Sequence, residues 1–197
     1  MDSKKFSLSV LLITTAFYTQ AQFRLPQFDV EAKGAFSVWK LNGDNKQHNS
    51  IDIIQFISWQ GGAHIQLNQR IAIGGFYSRS FSGKVAYKSG EKSDAQVLIT
   101  GIDLRLSGGR SARVRPYLSV NYSKVEFLQS LSGINLANRT NAVGATLGLM
   151  RKLGNNLYWN IVEVSFKKLN HPVFWLDVDF VLEAKTGFTY NLRIKNK

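Results

Sequence analysis

The sequence contains no cysteine, and outside its first residues it has no long run of apolar residues. Without cysteine the chain has no disulfide framework, no thiolate nucleophile and no thiolate metal site. Without a run of ~20 apolar residues, a membrane-spanning helix is not expected. The three histidines, His48, His64 and His171, are scattered and give no metal-ligand spacing. The sequence therefore predicts neither a metal nor a cofactor.

The 197 residues are enough for one domain with a core of its own. The formal net charge is +12, which raises nucleic acid as a partner. The basic residues are dispersed along the chain and do not form one stripe, so no nucleic-acid partner is expected.

The N-terminal segment predicts export. Two early lysines precede an apolar stretch that ends near Phe17, and small residues follow up to Ala21. This order is that of a secretory signal peptide, and the stretch is too short for a spanning helix. We expect residues 1–21 to be removed by cleavage before Gln22, leaving residues 22–197 as a secreted or envelope domain.

The rest of the chain alternates between apolar and polar residues, with no convincing helix pattern. The segment 178–194 separates into an apolar set, which includes Phe180, Leu182, Phe188 and Leu192, and a polar set. A period of two is typical of a β-strand with two different faces. In the seventh segment the faces do not separate cleanly, which predicts a bulge near Asn160. We place eight strands near residues 28–41, 55–67, 71–82, 96–107, 113–127, 141–152, 157–167 and 178–194.

The connections between these strands alternate in length. Short, turn-forming connections are predicted at 68–70, 108–112 and 154–156, and long polar connections at 42–54, 83–95, 128–140 and 168–177. Because short and long alternate without a break, all the short turns lie at one end. The pattern predicts an eight-stranded antiparallel up-and-down β-barrel.

Strand length and composition favour a barrel in a membrane over a soluble one. Most segments reach the ~9–11 residues that a tilted strand needs to cross the hydrocarbon layer. Their polar faces are rich in Gly, Ser, Thr, Asn and Gln, as a narrow interior requires. Closure leaves no unpaired strand edge in lipid. Aromatic residues, which favour the membrane boundary, lie toward strand ends on the apolar faces: Trp59, Tyr77, Phe81, Tyr122, Phe180, Phe188 and Tyr190.

Four segments carry a resemblance to a known family. They are "TQAQ" at the end of the signal, "GIDLRLSGGRSARVRPYLSVNYS" at 101–123, "AVGATLGLMRKLGNNLYWNIVEVSF" at 142–166, and "AKTGFTYNLRI" at 184–194. The mature chain resembles the small eight-stranded outer-membrane barrels of the OmpA and OmpX type, in the form common in Bacteroidota. The resemblance implies an outer-membrane protein without enzymatic activity, with both ends in the periplasm. Its implied partners are outer-membrane lipid, lipopolysaccharide and the barrel assembly machinery.

The polar faces predict a charged lumen. An eight-stranded barrel is just wide enough for side chains to fill it, so enclosed charges must pair. Inward aromatic residues are predicted at Trp39, Phe76, Tyr117 and Trp159, and they argue against a narrow small-solute channel, which stays open as an alternative. The predicted lumen charge network comprises Asp29, Glu31, Lys33, Asp103, Arg105, Arg115, Glu163, Asp179, Glu183, Lys185 and Arg193.

Two other functions were weighed against a structural role. A lipid A-modifying hydrolase would need a nucleophile beside a base, and only His48 with Ser50 has a superficially suitable spacing, in a polar loop. His64 lies on an inward face without an evident nucleophile. A soluble lipocalin-like periplasmic barrel would carry its apolar face inside.

The long connections are the remaining candidates for function. They combine basic residues, which can pair with lipopolysaccharide phosphates, with aromatic residues that can anchor in lipid or in a partner. The predicted function is envelope stabilisation, or presentation of loops to a surface ligand for adhesion. The predicted outer-loop contacts are Lys84, Lys88, Lys92, Lys167, Lys168, Phe174 and Trp175.

Overall fold

A computed structural model describes residues 27–41, 53–81, 83–86, 92–108, 112–131, 134–170 and 178–192. These ranges contain nine β-strands and no helix, and therefore no helix able to span a membrane. The predicted signal peptide lies outside them. The strands are β1 (Gln27–Leu41), β2 (Ile53–Gln66), β3 (Ile71–Ser80), β4 (Gly83–Ala86), β5 (Lys92–Ser107), β6 (Val114–Leu131), β7 (Ile134–Lys152), β8 (Leu157–Leu169) and β9 (Val178–Leu192).

The strands close into one antiparallel barrel. Each strand pairs with its neighbours along the chain, β1 also pairs with β9, and β3 pairs with β5. The short β4 pairs with β5 beyond the end of β3, so β3 and β4 share one position in the wall. The wall thus has eight positions, and the predicted eight-stranded antiparallel barrel is confirmed. Closure satisfies the backbone groups that an open sheet would leave unpaired.

Several strands extend further than the sequence predicted. The segment 128–140 was predicted as a long loop, but β6 continues to Leu131 and β7 begins at Ile134. The segment 83–95 was also predicted as a loop, but it contains β4 and the start of β5. These two predictions are wrong because the extended strands are polar on their outer face, which resembles a loop in sequence.

The irregularity predicted in the seventh segment is present in β8. The ladder with β7 pairs Leu149 with Val162 and then Met150 with Asn160, so Ile161 is an extra residue. The extra residue reverses the facing of everything before it. Asn160 is fully buried inside, and Trp159 lies outside, where its indole Nε1 donates to Thr186 Oγ1 at 3.4 Å. The prediction that Trp159 faces inward is therefore wrong.

One glycine permits a close approach inside the barrel. Gly148 on β7 is paired with Tyr117 on β6, and a Cβ at Gly148 would overlap the Tyr117 ring. The ring therefore lies against the bare backbone of β7. This places the Tyr117 hydroxyl within reach of Glu163 on β8, one strand further around the wall.

Candidate functional site: the apolar belt and the filled lumen

An apolar belt surrounds the outside of the barrel. Along most strands the outward side chains are aliphatic or aromatic, and many of them are close to half exposed. On β6 the belt runs from Val114 to Tyr122, which matches the ~9–11 residues that a tilted strand uses to cross a hydrocarbon layer. The sequence-predicted outward residues Leu182, Phe188 and Leu192 are exposed at 44%, 53% and 45%.

The polarity of the faces reverses beyond the belt, on the side away from the short turns. On β6 the outward residues change from Leu118, Val120 and Tyr122 to Lys124 and Glu126. Over the same stretch the inward residues change from Ser119, Asn121 and Ser123 to Val125 and Phe127, both at most 4% exposed. The change recurs at outward Gln55, Arg79, Gln96, Asn141 and Lys168 on five other strands. The end beyond the belt is built like a soluble barrel, with apolar residues inside and polar residues outside.

Aromatic side chains mark both margins of the belt. On the polar side Trp59 and Tyr77 have ring centroids 5.4 Å apart, and Phe166 and Phe180 have centroids 5.3 Å apart. At the turn side the outward aromatic residues are Trp159, Phe188 and Tyr190. Rings with this distribution are favoured at the interfaces of a bilayer.

Inside the belt, eight charged side chains form one alternating chain of ion pairs, here called the charged layer: Glu31, Lys33, Asp103, Arg105, Glu163, Lys167, Glu183 and Lys185. Lys33 Nζ lies 2.6 Å from Glu163 and 3.0 Å from Glu31. Lys185 Nζ joins Glu163 at 3.1 Å to Glu183 at 3.2 Å. All eight residues are nearly or fully buried, so each charge is stabilised by partners and scarcely by water.

Two contacts extend the charged layer across and along the lumen. Arg105 on β5 reaches Glu31 on β1 at 3.1 Å, across the interior. Its guanidinium also lies over the Tyr117 ring, 4.7 Å from the centroid, a distance at which a cation is attracted to the ring. Toward the polar end, Lys167 Nζ lies 2.5 Å from Glu183. The layer thereby links β1, β5, β8 and β9 by charge-assisted bonds.

Above the charged layer, toward the polar end, the lumen is closed by an apolar plug. Three rings form its centre, with centroid separations of 5.9 Å for Trp39 and Phe56, 6.2 Å for Trp39 and Phe127, and 6.1 Å for Phe56 and Phe127. Such edge-to-face packing leaves little room for water. The whole plug comprises Trp39, Ile54, Phe56, Phe76, Ala95, Val97, Ile99, Val125, Phe127, Ala142, Leu169 and Val181.

The turn end of the lumen is filled by polar contacts. Asp29 accepts hydrogen bonds from Gln66 and from Asn191, whose Nδ2 is 2.5 Å away. Arg115 donates to Ser107 Oγ at 2.8 Å, and its guanidinium lies 5.3 Å from the centroid of the Tyr158 ring. The interior is therefore packed with side chains from one end of the belt to the other.

The structure can be compared with the predicted site residue by residue. Nine of the predicted lumen residues have described, buried side chains: Asp29, Glu31, Lys33, Asp103, Arg105, Arg115, Glu163, Glu183 and Lys185. Asp179 belongs to β9, but its side chain is not described, and Arg193 lies outside the described residues. Trp39, Phe76 and Tyr117 face inward as expected.

Lys167 is a correction. It was assigned to the outer loops, but it lies in β8 with 1% exposure, inside the barrel. It shares the parity of Glu163, so the alternation after the bulge could have placed it correctly. Lys168, its neighbour, is exposed.

The other predicted outer-loop residues have no described side-chain contacts. Lys84 and Lys92 belong to β4 and β5 and not to a loop, and their side chains are not described. Lys88, Phe174 and Trp175 lie outside the described residues, as do His48 and His171.

His64 is held as a structural residue. Its Nε2 lies 2.6 Å from Asp103 Oδ1 and 3.2 Å from Arg105 Nη2, and the side chain is fully buried. Its Nδ1 has no hydrogen-bond partner in the described part of the chain, so no hydroxyl nucleophile there is bonded to it. Among the same residues no cluster of His, Asp and Glu is arranged to hold a metal ion.

Comparison with known proteins shows the fold without a close relative. No protein-family model matches the chain, and no curated protein matches it. Solved structures do match. The fold is that of the small outer-membrane β-barrels.

Three matching structures cover nearly all of their own length. Neisserial surface protein A has a TM-score of 0.64 at 15% identity, covering 85% of this chain and 97% of that one. OprG of Pseudomonas aeruginosa has a TM-score of 0.61 at 12% identity, covering 87% and 98%. Ail, the attachment invasion locus protein of Yersinia pestis, has a TM-score of 0.58 at 13% identity, covering 85% and 99%.

Proposed function

We propose that this chain is an integral outer-membrane β-barrel protein without enzymatic activity, which stabilises the envelope and presents its polar end outside the cell. The observation that carries the proposal is the polarity reversal on β6. A strand that is apolar outside up to Tyr122 and polar outside from Lys124 is suited to pass from lipid into water. The likeness to Bacteroidota proteins rests on the sequence segments alone and belongs to this proposal.

The filled lumen supports a structural role over a channel. A conduit for small solutes needs a continuous wet path, whereas here the apolar plug lies above a charged layer whose members are paired with one another. A lipocalin-like carrier would need an apolar interior at the belt, where this barrel has ion pairs. The buried His64, paired with Asp103 and Arg105, gives no support to a hydrolase.

Lipopolysaccharide phosphates and a surface ligand are the proposed partners of the polar end. Exposed basic side chains lie just beyond the belt at Arg79, Lys124, Arg139 and Lys168, at the depth where phosphates would be met. Ail, which has the same fold, has been crystallised with the heparin analogue sucrose octasulfate. The remaining predicted outer contacts, and insertion by the barrel assembly machinery, are parts of the same proposal.

Heat-modifiable migration and site-specific labelling test this proposal. The purified mature chain should require detergent to stay in solution, and it should run faster unheated than boiled, since a closed barrel resists dodecyl sulfate. The chain has no cysteine, so a single introduced thiol reports its own location. A membrane-impermeant maleimide should label Ser130→Cys, at the polar end, on intact cells.

The matched control is Gln69→Cys, in the turn between β2 and β3, where the side chain is equally exposed. It should react only after the outer membrane is permeabilised. Labelling of both thiols on intact cells, or a chain that is freely soluble without detergent, contradicts the proposal.

A further inference from the structure

The turn end of the barrel carries exposed basic side chains and no exposed acid among the described residues. Arg70, Arg113 and Arg151 are exposed and Lys152 is partly exposed; these four residues are here called the basic arc. The sequence has no Asp or Glu between Asp103 and Glu126 or between Glu126 and Glu163, and none in the turn 67–70. This end therefore has a positive charge that its own turns do not neutralise.

The described carboxylates are all committed elsewhere. Asp29, at the same end, is buried and accepts from Gln66 and Asn191. The carboxylates of the charged layer are enclosed by Lys33, Arg105, Lys167 and Lys185. Glu126 lies beyond the opposite margin of the belt, where Lys124 and Arg139 pair with it at 3.2 and 3.0 Å. The basic arc thus needs an anion from outside the chain.

Strand pairing places the arc directly against the apolar belt. Arg151 is opposite Val114 on one side and Trp159 on the other, both of them exposed belt residues. Arg113 immediately precedes Val114, and Lys152 N donates to Arg113 O at 2.9 Å. The arc side chains therefore leave the wall where apolar surface ends, which is the depth of lipid headgroups.

An open cleft extends the same arrangement to β3 and β5. It is lined by Asn68, Gln69, Arg70, Ile71, Leu106 and Ser107. Ser107 N donates to Arg70 O at 2.7 Å, which ties this turn to the end of β5. The cleft combines a guanidinium with aliphatic surface, Leu106 being 47% exposed. A phospholipid presents the same combination, a phosphate joined to acyl chains.

We propose that the basic arc binds the headgroup phosphates of anionic phospholipids in the leaflet at the turn end of the barrel. The inference rests on the proposed membrane location. Guanidinium groups bind phosphate oxygens with two parallel hydrogen bonds, and an anionic leaflet attracts each nearby basic residue. Peptidoglycan is the less suitable anion, because Arg151 projects from the wall beside Val114 and Trp159 and not from a loop extended away from the bilayer.

Lipid titration of the detergent-solubilised full chain tests the inference. The temperature at which the unheated gel band is lost would be followed while short-chain phosphatidylglycerol, short-chain phosphatidylcholine or inorganic phosphate is added. We expect phosphatidylglycerol to act at a concentration about tenfold or more below that of phosphatidylcholine, and salt to reduce this preference. The variant Arg70→Gln, Arg113→Gln, Arg151→Gln, Lys152→Gln should lose the preference.

The matched control removes the same number of charges beyond the opposite margin: Arg79→Gln, Lys124→Gln, Arg139→Gln, Lys168→Gln. It should keep the preference. If the arc variant does not fold, the lipid preference of the unmodified chain and its salt dependence still decide. No preference in the unmodified chain, a preference insensitive to salt, or equal loss in both variants overturns the inference.

Two further arms identify the anion. An equal shift with inorganic phosphate would assign the arc to free phosphate, and arc-dependent sedimentation with purified peptidoglycan would assign it to the cell wall; either result overturns the lipid assignment. A heat-modifiable, detergent-requiring barrel without lipid preference contradicts this inference alone. A chain that needs no detergent contradicts the proposed function itself.

Discussion

At the residue scale, the interior depends on carboxylates that each contact two cations. Glu163 lies between Lys33 and Lys185, and it also accepts from the Tyr117 hydroxyl. A charge enclosed in this way has lost its water, so its stability depends on these partners. Removing one carboxylate leaves two ammonium groups without their shared partner.

Replacing Glu163 by Gln should therefore lower the free energy of unfolding by about 3–5 kcal/mol, the usual effect of breaking a buried ion pair. Guanidinium unfolding in detergent micelles, followed by tryptophan fluorescence, measures it. The matched control is Glu126→Gln, because Glu126 also pairs with two basic residues, Lys124 and Arg139, but its side chain is 26% exposed. That change should cost less than about 1 kcal/mol. Equal effects would mean that the charged layer does not depend on burial.

Residue parity predicted which side chains enter the lumen, but not their partners. Two-residue alternation is enough to place Glu31, Glu163 and Glu183 inside. It does not indicate that Arg105 crosses the lumen to Glu31, because β1 and β5 are not adjacent in the wall. Trp159 was misplaced because one extra residue, Ile161, reverses parity, and the position of a bulge depends on pairing with the neighbouring strand.

At the element scale, β6 combines two kinds of strand in one continuous ladder. From Val114 to Tyr122 its outer face is apolar, and beyond Lys124 its outer face is polar while Val125 and Phe127 face inward. The sequence prediction ended this strand at residue 127 because the apolar alternation changes face there. Backbone pairing with β7 continues regardless, up to Leu131 and Ile134.

Two leucines on the same face of β6 make the membrane boundary measurable. Leu118 is in the middle of the belt and Leu128 lies beyond it, both outward. In phospholipid vesicles Leu118→Arg should destabilise the barrel by about 2–4 kcal/mol, whereas Leu128→Arg should cost about 1 kcal/mol or less, because a charge is expensive only in the hydrocarbon layer. Guanidinium unfolding of the reconstituted variants gives both values. Similar costs at the two positions would be inconsistent with a belt that ends near Tyr122.

At the scale of the whole molecule, the lumen is sealed by two layers of different chemistry. The charged layer is electrically balanced, with four acidic and four basic side chains joined in one chain. The apolar plug above it excludes water by packing, with Trp39 only 1% exposed. An ion crossing the barrel would have to open both.

The chain should therefore carry no steady ionic current in planar bilayers. Trp39→Ala with Phe127→Ala opens only the plug, and Glu163→Gln disturbs only the charged layer, so each variant alone should also stay closed. The control is Trp59→Ala, which alters the outer surface and leaves the lumen intact. A steady current from the unmodified chain would contradict the sealed lumen and would favour the small-solute channel.

The amino-acid sequence alone determined the barrel, its outward apolar faces, most of its inward charges and the presence of a bulge. These follow from local chemistry, since successive side chains of a strand point to opposite sides. Only the tertiary structure decided where the strands end, which charges pair, that Lys167 lies inside, and that three distant rings close the polar end. Those features depend on closure and on the stagger between strands, which set side chains far apart in sequence at the same height.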